Sequence, residues 1–386
     1  MDKKKQIQFN LNNFLLAMST ALDSVEKDVD DVKDGHAKRV AYIALLLAKE
    51  FNYEAKGLFD VCAYSFIHNI ALKNTGRISK EYCEIGQELA NNFPFLTDEK
   101  DVIKYHCESY DGSGIFALKA DDIPLFSQFI FVADTLDREF DLSNKSIENR
   151  EKVVNYLQEN ENKLFSTDMV ECIVEFSQCT SFWLDLQNEN ALLNTIFTTI
   201  QDFSITPTFE EVLELTFIFT KIVDEKSALI DKASLMADYY KFEHKDKQTF
   251  KIAASVCQVG KLCIPDRIVS KEESLSTSEY EVMKAYPYFT KMILNNILGF
   301  SDICSWAGAV QESMSGDGYP YALEGKDLSL KHRLLGALVV YESLISEKTY
   351  RKAFSHDSTI ETMRQMVNEG KLDKAIVEDI SSVLAV

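Results

Sequence analysis

Three of the six histidines in this 386-residue chain, and one aspartate, stand where helical spacing calls for apolar side chains. His36 precedes Val40, Ile43, Ala44 and Leu47, and so heads the stripe that its helix would bury. His68 and Asn69 interrupt a segment at 59–72 whose only other polar residues are Asp60 and Ser65. His106 shares a stripe with Val102 and Ile103, while Asp134 continues Phe126 and Ile130 one turn at a time. A polar group buried at such a place is costly unless it is hydrogen-bonded or metal-bound. Each one alone reads as a satisfied core residue. Together they offer imidazole nitrogen and carboxylate oxygen from four helices of one half of the chain, a donor set that suits Zn, Fe or Mn.

The elements that position these residues are helical. Glycine and proline number only 14 and 6, too few for the turns of a β-sandwich or barrel, and the apolar periodicity is that of helices. The fold class expected is all-α: two tandem helical units joined by a helical connector. DGSGIF at 111–116 recurs as SGDGYP at 315–320, and HCESYDGSG answers QESMSGDG. IHNIALKN at 67–74 lines up with VCQVGKLC at 256–263, a smaller offset, so the second copy carries an insertion near 264–277. The expected domains are 1–145, a connector at 146–205, and 206–386. Thr208 with Glu211 and Ser276 with Glu279 form capping boxes, and Pro124 suits the start of a helix running to about Phe140.

Composition narrows the partners. With 41 basic and 61 acidic residues the formal net charge is -20, and no basic, aromatic-interleaved stripe appears, so nucleic acid is not an expected partner. The longest apolar run, at 41–48, is far short of a membrane span. The eight cysteines form no CxxC pair, which fits reduced thiols and a cytoplasmic protein.

HAKRVAYIALLLA, IHN, YHCESYDGSG and IPLFSQFIFVADTLD resemble an HD-domain phosphohydrolase of the HD-GYP branch. The second half resembles the same branch through FTKIVDEKS, VGKLCIPDRIVSK, LSTSEYEVMKAYPYFTKMIL, GDGYP, SEKTYRKAFS and EGKLD, so the likeness spans nearly the whole chain. The resemblance implies an all-α metalloenzyme with two or three metals, often iron or manganese, whose active members hydrolyse cyclic di-GMP. Carried over by motif, His36, His68, His106 and Asp134 match family metal ligands in the first half, with His68, Asn69 and Asp134 at the catalytic positions. Asn69 replaces the HD aspartate, Tyr82 a helix-borne histidine, and Cys107 the second of a histidine pair. The GYP triplet of this half reads Gly114-Ile115-Phe116. In the second half Ala233, Cys257, Gln258, Tyr286, Val310, Gln311 and Val339 fill the seven ligand slots, whereas Lys261 and Gly318-Tyr319-Pro320 persist.

In the family the HD aspartate bridges two metals, and an asparagine offers no charge for that task. One divalent metal (Fe, Mn or Zn) on His36, His68, His106 and Asp134 is the expectation for the N-terminal half, with none in the C-terminal half. The leading expectation is a non-catalytic or weakly catalytic receptor or scaffold, with Lys261, Gly318, Tyr319 and Pro320 as a loop that docks cyclic di-GMP, another nucleotide or a signalling protein. The alternative is an active metal-dependent phosphodiesterase, acting on cyclic di-GMP or another nucleotide phosphate from the N-terminal half.

Overall fold

The computed structural model describes residues 7–30, 32–200, 207–224, 226–347 and 352–385. The junction expected at 205/206 and the middle of SEKTYRKAFS (348–351) lie outside the described residues. Among the described residues there is no β-strand, and no helix is long and apolar enough to cross a membrane. The chain divides into two compact units, Met18–Phe203 and Met1–Ala17 with Ser204–Val386.

The first unit takes α1 (Leu11–Asp30) from Met18 onward, then α2 (His36–Glu50), α3 (Ala55–Ile67), α4 (Leu72–Thr75), α5 (Lys80–Ala90), α6 (Val102–Tyr105) and α7 (Leu125–Phe140). The segment after it forms α8 (Ile147–Glu159), α9 (Thr167–Gln178), α10 (Thr180–Leu186) and α11 (Glu189–Thr199). α2 is buried on nearly every face, and α3, α7 and α11 pack around it. Val40, Ile43, Ala44 and Leu47 are all fully buried, as the stripe below His36 requires. Asp23 on α1 accepts from the Ala37 backbone N–H at 3.0 Å, capping α2 where Gly35 has no side chain to do so. The stretch expected as a connector packs within this unit: Lys38 meets Glu189 at 2.5 Å, and Tyr42 donates to Asp185 at 2.9 Å. Pro124 stands immediately before α7.

The second unit contains α12 (Phe209–Asp224), α13 (Leu229–Tyr239), α14 (His244–Val256), α15 (Asp266–Val269), α16 (Thr277–Met283), α17 (Tyr286–Leu294) and α18 (Ser301–Ala307). α19 (Leu330–Ile345), α20 (His356–Asn368) and α21 (Lys374–Val383) complete it. α14 is central, packed by α12, α13 and α18. Both capping boxes form: Glu211 N–H donates to Thr208 Oγ1 while Thr208 N–H donates to Glu211, and Ser276 and Glu279 do the same.

One loop design occurs in both units. Glu108 accepts from the backbone N–H groups of Phe116 and Leu118 at 2.7 and 2.9 Å, and Glu312 accepts from those of Tyr321 and Leu323 at 2.7 and 2.8 Å. Each glutamate folds the loop over its own backbone, so a Cβ on Gly114 would meet Glu108 Cα at 2.8 Å and one on Gly318 would meet Ser313 N at 2.4 Å. That contact accounts for glycine at both places.

Candidate metal centre

Four buried side chains converge in the first unit: Glu26, His36, His68 and Asp134, whose donor atoms all lie within 4.8 Å of one another. His36 is the first residue of α2, and Asp134 projects from the middle of α7. His36 Nε2 lies 2.9 Å from Asp134 Oδ1 and 3.3 Å from Glu26 Oε1, and its Nδ1 lies 2.7 Å from Asp137 Oδ2. Burial opposes charge on this imidazole, but Glu26, Asp134 and Asp137 together hold its pKa well above 6.5. Asp137 is itself clamped by the Arg39 guanidinium at 2.7 and 2.8 Å. Burial would raise Asp134, yet Arg138, His36 and His68 pull its carboxyl well below the usual range.

His68 and His106 differ from the sequence expectation in their placement: they cap the C-termini of α3 and α6, one residue beyond the last helical turn. Each ring turns back on its own helix, His68 Nδ1 to Ser65 O at 2.7 Å and His106 Nδ1 to Ile103 O at 2.5 Å. Donating Nδ1–H there leaves Nε2 as the lone-pair nitrogen in both rings. His68 Nε2 reaches Asp134 Oδ1 at 3.5 Å. His106 stands outside the group of four, with its ring centroid 5.9 Å from that of His68 and 5.6 Å from that of Tyr82. Burial above all pushes it down to about 4, so it is neutral.

Asn69 and Tyr82 are bonded to each other and to the histidines beside them. Asn69 Nδ2 lies 2.6 Å from His68 Nε2, Tyr82 donates its hydroxyl to Asn69 Oδ1 at 2.5 Å, and His106 Nε2 is 3.3 Å from the same hydroxyl. Because Nε2 of His68 accepts and Oδ1 of Asn69 accepts, the amide orientation is fixed from both ends. Cys107 Sγ lies 3.4 Å from His106 Nε2, and a hydrogen bond with Cys83 together with burial holds its thiol well above the ordinary value. It offers a thiol to the site and no thiolate.

Glu26 was not among the residues that apolar spacing singled out. The signal was present: Glu26 extends Phe14, Met18 and Leu22 in steps of one turn along α1, and its side chain is 1% exposed. Arg138, one turn beyond Asp134, was also missed; its guanidinium meets Asp134, Glu26 and Asp30 at 2.7, 2.5 and 2.8 Å. By donor type two imidazoles and two carboxylates suit one divalent cation, once the His36 proton and the Asn69 amide give up the two Nε2 lone pairs.

The corresponding slots of the second unit hold no such set. Ala233 and Val339 are buried apolar residues, as is Val310, and burial pushes the Cys257 thiol up to about 12. Gln311 donates to the Tyr286 hydroxyl at 2.8 Å and accepts from the Tyr319 hydroxyl at 3.2 Å, so amide and phenol close on each other. Lys261 bonds Gln258 and lies 5.5 Å over the Tyr286 ring. Beside them a cavity of about 350 Å³ opens, lined by Gly318, Tyr319 and Tyr280 with Lys284, Arg333 and Lys371. The carboxylates of its wall are engaged: Glu312 by the loop backbone, Asp317 by Ser313 and Ser315, Asp373 by Arg333.

Residues 215–376 match the HD domain model. The match therefore falls on the unit whose ligand slots are apolar or neutral. Over 98% of this chain and 93% of the relative, the sequence is 26% identical to a 3'3'-cGAMP-specific phosphodiesterase 1 of Vibrio cholerae. It is 33% identical to a cyclic di-GMP phosphodiesterase of the same species, over 34% of this chain and 28% of that protein. A crystal structure of a cyclic GMP-AMP specific phosphodiesterase from V. cholerae superposes with a TM-score of 0.69 at 18% identity, covering 98% of both chains, a likeness of fold.

Proposed function

We propose that this chain, whose residues 215–376 match the HD domain model, binds a cyclic dinucleotide as a receptor and hydrolyses it slowly or not at all. The observation that carries this reading is Asn69. Where the family resemblance calls for a carboxylate bridging two metals, the amide donates to His68 Nε2 and accepts from Tyr82. In-line phosphodiester hydrolysis on two metals needs a charged bridge and open lone pairs at that point. A neutral, self-satisfied amide supplies neither.

Glu26, His36, His68 and Asp134 would hold one divalent cation, of iron, manganese or zinc. Such an ion supplies positive charge and Lewis acidity toward a phosphate. The cavity of the second unit supports docking, since phenol faces suit nucleobases while Lys284, Arg333 and Lys371 suit phosphate oxygens in exchange for their present partners Glu281, Asp373 and Glu369. Gly318 and Tyr319 shape its wall, with Pro320 next in the loop, whereas Lys261, over the Tyr286 ring, is not among the residues that line it.

Calorimetric titration of the full chain with 3'3'-cGAMP and with cyclic di-GMP, paired with chromatography of the same mixtures, tests the reading. Saturable binding that Lys371→Ala and Tyr319→Ala weaken, without linear product, is the expected result. Turnover on the order of ten per minute or faster, abolished by His68→Ala, would overturn it. The four-donor cluster favours one other reading, a single-metal phosphodiesterase in the first unit. Under that reading His36→Ala and Asp134→Ala lose metal and activity together, and Asn69→Asp raises activity.

A further inference from the structure

Arg138 brings a permanent charge onto the donor cluster. Its three guanidinium nitrogens go to three different carboxylates: Nε to Asp134 Oδ1, Nη2 to Glu26 Oε1 and Nη1 to Asp30 Oδ2. The side chain is 17% exposed, against 1% for Glu26 and 9% for Asp134, so solvent screens these contacts poorly. An arginine beside a metal site commonly orients a carboxylate by taking the oxygen that points away from the ion. Here it takes the oxygens that point in. Asp134 Oδ1 is the atom 2.9 Å from His36 Nε2 and 3.5 Å from His68 Nε2, and Glu26 Oε1 is the atom 3.3 Å from His36 Nε2.

We propose that Arg138 is a built-in competitor for the cation site: its guanidinium occupies the inward oxygens of Glu26 and Asp134, limits the cluster to one divalent ion and loosens the hold on that ion. The inference rests on the cluster being a cation site and is independent of whether a nucleotide is bound or hydrolysed. A fixed positive charge at these oxygens acts toward an incoming divalent ion in two ways. It must be pushed off two ligand atoms, and it repels the ion while it stays nearby. Arginine performs this at every pH, because the guanidinium does not deprotonate in proteins.

The test compares the full chain with Arg138→Gln and Arg138→Lys, each loaded with zinc or manganese, by elemental analysis after dialysis and by competition with a chromophoric chelator. Glutamine keeps hydrogen-bond donors and removes the charge, so it should tighten binding about tenfold or admit a second equivalent. Lysine keeps a charge that cannot span both oxygens, so it should tighten binding by a smaller factor. Weaker or unchanged binding in Arg138→Gln would show an orienting role and overturn the proposal, as would the absence of metal from both proteins. Should Arg138→Gln fail to give a native circular-dichroism spectrum, Arg138→Lys decides alone, with unchanged or weaker affinity counting against. Cyclic-dinucleotide binding, read separately, keeps the failure of the receptor reading distinct from the failure of this one.

Discussion

His36 is gripped on both ring nitrogens by carboxylates, Asp137 on one side and Asp134 with Glu26 on the other. A cation needs the Nε2 lone pair, so its uptake must expel a proton from an imidazole whose pKa lies well above 6.5. Metal affinity is therefore expected to rise by up to about tenfold per pH unit between about pH 6 and pH 8. Zinc titrations across that range check it, and a flat profile would mean that His36 is no ligand. In protein stripped by chelator the sign reverses. A histidine whose pKa is raised by folding gives stability that is fully present below the ordinary 6.5 and is lost as pH rises through the raised value. Urea midpoints of the stripped protein should accordingly fall toward alkaline pH. Most of this site was legible one residue at a time, because His36, His68 and Asp134 broke apolar stripes. What spacing could not deliver was the meeting of residues across space. His106 is as buried as the others, but the Tyr82 phenol stands beside it, and a stripe says only that a group is inside. Glu26 obeyed the same rule on a helix without histidines and escaped notice for that reason.

At the scale of elements, the two units solve one packing problem with small residues on opposite sides. Ala71 faces Gly86 in the first, and their counterparts by sequence offset, Gly260 and Thr290, face each other in the second. The contact in the second unit is the tighter: Gly260 N–H donates to Thr290 Oγ1 at 3.0 Å, and a Cβ there would meet Tyr286 O at 2.0 Å and Thr290 N at 2.5 Å. Those are backbone atoms of α17 and cannot swing aside. Gly260→Ala should cost about 3 kcal/mol. Gly86→Ala, which meets the Ile103 side chain at 3.0 Å, should cost about 1 kcal/mol. Denaturant melts of the two variants check the asymmetry, and equal losses would count against it. The helices themselves were readable because their stripes and capping boxes are local. The ends of α3 and α6 were not, since there a histidine ring replaces the next helical hydrogen bond and no apolar pattern reports it.

At the scale of the molecule, the matched family model and the donor cluster fall on different units, 215–376 and the helices between Met18 and Phe203. Framework residues carry the first, ligand residues the second. A bound ion stabilises only the state that holds it, by about 2.7 kcal/mol at a free concentration a hundredfold above Kd. Chelation of metal-loaded protein is thus expected to lower one calorimetric transition, the one that His68→Ala also lowers, and to leave the transition sensitive to Gly260→Ala unchanged. If both shift together, the units unfold as one. If neither shifts, the four donors serve only as a hydrogen-bonded core. The loop built on Glu108 and again on Glu312 was visible as a recurring motif, whereas the packing of 147–199 onto α2 and α7 was not, because local spacing does not report which helices meet.

His68 and His106 each spend one ring nitrogen on the carbonyl three residues earlier. The aim of the other nitrogen is thereby set by a four-residue stretch of chain, whatever stands opposite. Substitution on the far side, carboxylate to amide or imidazole to phenol, changes what the ring meets without turning it. Histidines mounted this way can outlast the chemistry around them, and by the same token they leave a short mutational path back to it.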